Sequence, residues 1–262
     1  MNKYFDIKLF TKLIHNTHSV FPNIKEKMKN RILIFDVETT GLLPKMNGAE
    51  IPALIAYPYI IQFSFILYNM LSQTIERKYN YYIDIPKDIE ISEKITELTG
   101  VTREILNKKG QPLITALDNF YDCYMLADTV VAHNFDFDSK MIQIETQRNF
   151  ELIREQMPYG LNIFNIIYER LHSIDRYCTM RNGTNICNIM IYKKDTSGVE
   201  IGKPYKKWPT LLELYLYFFK TTPVNLHNSM MDVLVCLRCY LKMRKNIDVQ
   251  DVDFQNMIQD CL

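Results

Sequence analysis

The segment Arg31-Ile-Leu-Ile-Phe-Asp36-Val-Glu38-Thr-Thr-Gly41 most limits what this chain can fold into: it is an apolar run that ends in two carboxylates two residues apart. Alternate residues of an extended strand project from one face, so Asp36 and Glu38 share a side while Val37 turns into the core. Paired carboxylates at the end of a buried strand can converge on a hard divalent cation. Thr39-Thr40-Gly41 then reads as a turn. Spacing alone does not carry this inference, since Asp88-Ile89-Glu90 repeats it in a polar context close to Pro86.

A core large enough to hold such a strand is available. The chain has 262 residues, 47% hydrophobic and 12% aromatic, which predicts one large domain or a domain with extensions. Its 31 Lys and Arg face 30 Asp and Glu, so a polyanionic partner has to be held by local features, not by net charge. Six cysteines at 123, 178, 187, 236, 239 and 261 form no regular framework, and no signal peptide is visible; the expectation is free thiols in a reducing, intracellular compartment. Ile51–Leu71 is apolar enough to resemble a membrane span but contains Pro52, Pro58, Gln62, Ser64 and Asn69. It reads instead as a loop followed by a buried strand, Tyr59–Tyr68, and no membrane partner is expected.

Along the chain, a polar extension to about residue 30 precedes strands at about 31–36, 59–68 and 75–83. Leu113, Ala116, Leu117, Phe120, Tyr121 and Tyr124 then recur at helical spacing, and Thr129–Ala132 is a short buried strand. A helix at about 138–155, a weak strand at 173–179, an irregular polar stretch at 180–207 and two helices beginning near Pro209-Thr210 and Asn228 complete the pattern. Strand and helix thus alternate after an opening meander.

Two further constellations carry acids. Val130-Val-Ala-His133-Asn134-Phe135-Asp136-Phe137-Asp138 again delivers carboxylates to the C-terminal end of an apolar strand, where open α/β sheets place their ligands. Alone, Asp136 and Asp138 read more simply as acids of a first helical turn. In His227-Asn228-Ser229-Met230-Met231-Asp232, Asn228 or Ser229 caps a helix, and Asp232 lies off the core stripe of Met230, Leu234, Leu237 and Leu241. A buried-helix acid of that kind wants a partner.

In order, strand-D-x-E-T-T-G, V-A-H-N-x-x-F-D and H-x-x-x-x-D resemble the DEDDh 3′→5′ exonucleases of the ribonuclease H-like superfamily, which include the proofreading epsilon-type subunits. Ile95–Leu106 and Trp208–Tyr215 resemble that family's connecting segments, and the likeness runs over about 31–245. The resemblance implies an α/β ribonuclease H-like fold, a mixed central sheet flanked by helices. It implies Asp36, Glu38, Asp138 and Asp232 as metal ligands, Asp138 being chosen over Asp136 because the family's acid follows the aromatic, here Phe137. His227 becomes the general base, and Asn228 stands where the tyrosine variant of the family would differ. Thr39, Thr40 and Gly41 would offer backbone donors to the terminal nucleotide, Leu42 would wedge against its base, and Asn134 and Phe137 would border the strand. Two Mg²⁺ or Mn²⁺ ions suit an all-oxygen site that must neutralise a phosphate and activate water, with histidine as the ordinary proton acceptor.

The expected organisation is therefore an extension at 1–30, an exonuclease domain at 31–245 with a basic insertion at about 181–208, and a C-terminal tail at 246–262. The insertion gathers Arg181, Lys193, Lys194, Lys203, Lys206 and Lys207, and it reads equally as a guide for a polynucleotide or a solvated loop. Single-stranded or frayed 3′ ends of DNA are the leading substrate, with RNA next and a noncatalytic nucleic-acid-binding or polymerase-associated subunit as another class. A polymerase or repair partner, and hence a proofreading or DNA-repair role, is compatible with the motifs. Gly198–Pro204 is too short for a phosphate-binding P-loop, no H-E-x-x-H motif occurs, and Cys236 and Cys239 have C-x-x-C spacing on an expected helix, a weak basis for zinc.

Overall fold

The computed structural model describes residues 30–45, 51–223 and 226–261. The proposed extension at 1–30 lies almost wholly outside them. Strands β1 (Arg31–Thr39), β2 (Ile60–Asn69) and β3 (Thr74–Tyr82) form the opening meander. Helices α1 (Glu93–Thr99) and α2 (Arg103–Lys109) follow, each capped by a hydroxyl, Ser92 Oγ and Thr102 Oγ1. Then come α3 (Leu113–Leu126), β4 (Thr129–Ala132), α4 (Phe135–Arg148), α5 (Phe150–Gln156), α6 (Ile166–His172) and β5 (Asp175–Cys178). The last elements are α7 (Thr179–Cys187), β6 (Met190–Lys194), β7 (Glu200–Lys206), α8 (Leu211–Phe219), α9 (Ser229–Tyr240) and α10 (Asp251–Cys261).

The central sheet has the order β3-β2-β1-β4-β5, with β1, β4 and β5 parallel and the first three strands antiparallel. It is the mixed ribonuclease H-like α/β arrangement, with helices on both faces. Alternation along β1 explains why both faces are apolar. Leu33, Phe35 and Val37 join Phe63, Phe65, Leu117 and Phe120 on one side, and Ile32 and Ile34 join Ile66, Val131 and the α9 residue Leu234 on the other. The C-terminal ends of all three parallel strands meet at one edge of the sheet, where Glu38, Ala132 and Cys178 stand.

Three sequence expectations change. The helix expected at 138–155 starts three residues earlier, because Asn134 enters the left-handed region (φ 65°) and lets the turn close at Phe135, and it breaks at Asn149. The stretch at 180–207 is not irregular: it holds α7 and a separate two-stranded hairpin of β6 and β7. Within the expected C-terminal tail, of which 246–261 are described, α10 buries Phe254 and Ile258 in the second core while Arg238 donates to Val249 O and Asp251 Oδ1. All six cysteines are free, and no helix among the described residues is long and apolar enough to cross a membrane.

Candidate metal centre and active site

The inner face of β1 that begins with Ile32 and Ile34 ends with Asp36 and Glu38, so the two acids point at α9, the helix packed there. Asn228 caps α9 by accepting from Met230 N–H at 3.2 Å, which puts Asp232 in its first turn. One carboxylate oxygen each from Asp36, Glu38 and Asp232 lie within 4.8 Å of one another. Among the described residues this is the one group of three or more His, Cys, Asp or Glu side chains so arranged. Asp138 comes in from α4, buried, its Oδ1 accepting from Val37 N–H at 3.3 Å.

Burial raises the pKa of all four acids, and repulsion from neighbouring acids adds to it at Asp36, Glu38 and Asp138. Asp36 is held well above the usual carboxylate range by burial, then by Asp138, Asp232 and Glu38. Glu38 is pushed up to about 8 by burial and by Asp232 and Asp138, and Asp232 to about 7 by burial, against the His227 N–H that favours its charged form. Asp138 is raised by burial, opposed by the N–H groups that it accepts from. Asp36 Oδ2 is closed off from solvent with no hydrogen-bond partner, an orphan that a cation would satisfy. All-oxygen donors, partial burial and an unpartnered carboxylate oxygen together fit a hard divalent cation.

A polar network ties α9 to β2 and β3, the strands beside β1. Ser64 and Gln62 lie directly across from Asp36 and Glu38 in the β1–β2 register, and thus on the same face. Ser64 O–H and Gln62 Nε2 donate to Asn80 Oδ1 at 3.0 and 2.9 Å, so Ser229 O–H is left to donate to Ser64 Oγ, 2.5 Å away. Ser229 N–H adds a bond to Gln62 Oε1 at 3.4 Å. Sequence reasoning did not find this network. Its signal was there in the two polar residues, two apart, that interrupt the apolar run Tyr59–Tyr68.

The second motif is locked from below. His133 Nε2–H donates to Pro209 O at 3.1 Å, which leaves Nδ1 to accept from Thr179 Oγ1 at 2.9 Å. Burial pushes this imidazole down to about 4, in keeping with that neutral tautomer. The two acids of the motif separate cleanly, since Asp136 is exposed and pairs with Arg181 whereas Asp138 is buried beside the other acids.

The remaining residues singled out from sequence fall around this cluster. His227 is exposed, in the left-handed region (φ 71°), with its N–H 3.3 Å from Asp232 Oδ2. Leu42 projects with 86% of its surface exposed, Asn134 sits at the start of α4, and Phe137 packs half-buried on the first core. Thr40 departs from expectation. Its N–H donates to Tyr59 O at 2.9 Å and its Oγ1 accepts from Tyr59 N–H at 3.0 Å, so its backbone donor serves the loop instead of a nucleotide. Thr39 Oγ1 likewise donates to Gly41 O at 2.7 Å.

Behind that loop, Arg148 Nη2 donates to the carbonyls of Leu54, Tyr57 and Pro58, and its guanidinium lies 3.7 Å from the Tyr59 ring centroid. Glu145 accepts from Arg148 at 2.5 Å and from Ile60 N–H at 3.1 Å.

No curated protein sequence matches this chain. Solved structures do. Escherichia coli Exonuclease I in complex with a dT13 oligonucleotide aligns with TM-score 0.55 at 17% identity, over 83% of this chain and 42% of that one. The match to a 3′-exonuclease described by its recognition of the 3′ end of a histone mRNA stem-loop has TM-score 0.53, 16% identity and 84% coverage of both chains. Cell-death related nuclease 4 aligns with TM-score 0.52 at 14% identity, over 83% of this chain and 64% of that one. The chain thus spans less than half the length of Exonuclease I, and at these identities the likeness is one of fold. The RNase T exonuclease family model matches residues 33–240, which takes in all three acid-bearing motifs and most of the chain; the protein belongs to that exonuclease family.

Proposed function

We propose that this protein is a divalent-metal-dependent 3′→5′ exonuclease of the DEDDh branch that releases nucleoside monophosphates from single-stranded or frayed 3′ ends. The observation that carries the reading is the convergence of Asp36, Glu38 and Asp232 within 4.8 Å, with an orphaned Asp36 oxygen, inside an exonuclease-family domain. Asp36, Glu38, Asp138 and Asp232 are the side chains that would hold the cations, Mg²⁺ or Mn²⁺. When bound, two such ions supply charge neutralisation at the scissile phosphate and activation of the attacking water.

The chain's own residues do the rest. His227, at the exposed rim, takes the proton from water, and its backbone bond to Asp232 ties that base to the acid cluster. Val37 N–H orients Asp138, and the Ser229–Ser64–Gln62–Asn80 network fixes the height of Asp232 over the sheet. Leu42, on the turn that Thr39 and Thr40 brace, meets the terminal base. DNA is the leading substrate, as Exonuclease I in the matched structures holds dT13 and dA16 oligonucleotides. RNA is the second reading, favoured by the histone mRNA 3′-exonuclease. The order of the motifs, with histidine in the third, supports the branch that contains the epsilon-type proofreading subunits.

An end-dependence assay tests the reading. A linear 5′-labelled DNA strand should shorten stepwise from its 3′ end while a covalently closed circle of the same sequence stays intact; cutting of the circle would contradict exonucleolytic action.

A further inference from the structure

The β6–β7 hairpin is an element that the catalytic account does not use. It forms its own sheet, both of its faces are wet, and it nevertheless exposes Met190, Tyr192, Ile201 and Tyr205. An isolated two-stranded hairpin gains little stability in water, and exposed apolar and aromatic side chains on it call for a binding role. Lys193, Lys194 and Lys203 are interleaved with them, Lys194 lying across from Glu200 and Lys193 across from Ile201. Of the two acids in the hairpin, Asp195 is spent on its own turn, accepting from Ser197 and Val199 N–H at 2.9 and 3.0 Å.

Both ends of this hairpin are fastened to the acid-bearing edge of the main sheet. α7, which leads into it, starts where β5 ends, and its Arg181 pairs with Asp136, two residues from Asp138. On the other side Lys207 N–H donates to Ile189 O at 2.8 Å, closing the base of the hairpin. Trp208, 60% exposed, comes next, followed by Pro209, whose carbonyl holds His133 at 3.1 Å beside Asn134. Trp208 therefore stands one residue from the brace of the second motif, and Tyr205 continues outward along the hairpin on the face it shares with Ile191, Lys193 and Ile201, whereas Tyr192 and Lys194 alternate onto the other face; a seven-residue strand reaches roughly 20 Å.

We infer that the 190–208 hairpin, with Trp208 and Tyr205 as stacking surfaces and Lys193 and Lys203 on the Tyr205 face as phosphate contacts, binds the single-stranded polynucleotide several nucleotides upstream of the 3′ end. The inference rests on the exonuclease reading for which end of the strand enters the site. Sequence-tolerant stacking plus backbone neutralisation is how proteins track single strands, and the alternation of aromatic and basic side chains here supplies both. The charge complementarity is local, since the chain as a whole carries a net charge of only +1.

Trp208 is the sole tryptophan of the chain, so its fluorescence reports binding directly. In chelator, which stops turnover, titration with dT12 and with rU12 should quench it saturably; the better of the two identifies the sugar preferred. In the K193A/K203A variant the slope of log K against log salt should fall by about 1.4, at roughly 0.7 per lost contact with a single strand. In Tyr205→Ala, affinity measured by anisotropy of a labelled oligonucleotide should drop about fivefold or more with the salt slope kept. With metal, the double variant should raise KM for a 12-mer by more than it raises KM for a dinucleotide. Absence of quenching by either oligonucleotide, or variants whose affinities and slopes match wild type, overturns the inference. Binding through the hairpin without any hydrolysis would instead refute only the exonuclease reading, and hydrolysis with the hairpin variants indistinguishable from wild type would refute only this one.

Discussion

Replacing Asp36 by Asn should abolish activity and make the metal-free protein more stable. Asp36 is a half-buried acid whose Oδ2 is closed off from solvent without a partner, and it is repelled by Asp138, Asp232 and Glu38. With oxygens of Asp36, Glu38 and Asp232 within 4.8 Å of one another, one pair of full charges at an effective dielectric of 20 repels by about 3.5 kcal/mol. Proton sharing among the acids reduces this near neutrality, so a net gain of about 2 kcal/mol is expected at pH 8 in chelator. For a domain of this size that is a rise in Tm of about 4–8 °C.

The pH dependence has a definite sign. Glu38 and Asp232 have folded pKa values of about 8 and 7, above their ordinary 4.5 and 3.8. The native state therefore binds more protons than the unfolded chain between those limits, and the metal-free wild type should lose stability as pH rises from about 4.5 to 8. Asp36→Asn should flatten that decline, and Mg²⁺ should raise the Tm of wild type more than that of the variant. Differential scanning fluorimetry in chelator and in Mg²⁺, from pH 5 to 8.5, reads all three. A variant that melts below wild type in chelator, or that gains as much from Mg²⁺, would refute the repulsion argument.

Other sites give separate tests. His133 is buried with its pKa lowered to about 4 from 6.5, so the unfolded state binds the extra proton and stability is lost as pH falls from 6.5 towards 4; relative to His133→Gln, wild type should lose about 3 kcal/mol over that window in denaturant titrations. A pH-independent difference would remove the buried neutral imidazole. Ser229→Ala breaks the bond to Ser64 and should cost about 1–2 kcal/mol while raising the Mg²⁺ concentration for half-maximal turnover severalfold; an unchanged metal requirement would show that the network does not position Asp232. Arg148→Met strips Glu145 of its partner and three loop carbonyls of theirs, and should cost about 3–5 kcal/mol by chemical denaturation. A loss under 1 kcal/mol would mean that water replaces the guanidinium freely.

The parts of the fold that sequence made legible are those in which each residue's role repeats with a period. Strand β1 alternates between two cores, so its face could be followed out to Asp36 and Glu38; α9 has so regular an apolar stripe that Asp232 stood out as an acid beside it. The three motifs are short, but their order on alternating strands and helices matched a family, and the family model covers the same span. What escaped was set by contacts distant in sequence. The Ser229–Ser64 bond joins residues 165 apart, and Arg181–Asp136 joins residues 45 apart, so no local pattern announces either. The hairpin at 190–206 was hidden because both its faces are exposed, which erases the polar–apolar alternation that marks a half-buried strand. Helix α10 was obscured in a similar way: only Phe254 and Ile258 of its eleven residues are buried.

The central claim is tested most directly by incubating 5′-labelled single-stranded DNA and RNA of one sequence with wild type and Asp36→Ala, each in Mg²⁺, in Mn²⁺ and in chelator. The account predicts a ladder of products shortened from the 3′ end with wild type in metal, stronger on DNA, and none in chelator or with the variant, whose circular dichroism stays that of a folded protein. A ladder that persists in chelator, or with folded Asp36→Ala, would contradict the assignment of the acid cluster as the metal-dependent hydrolytic site.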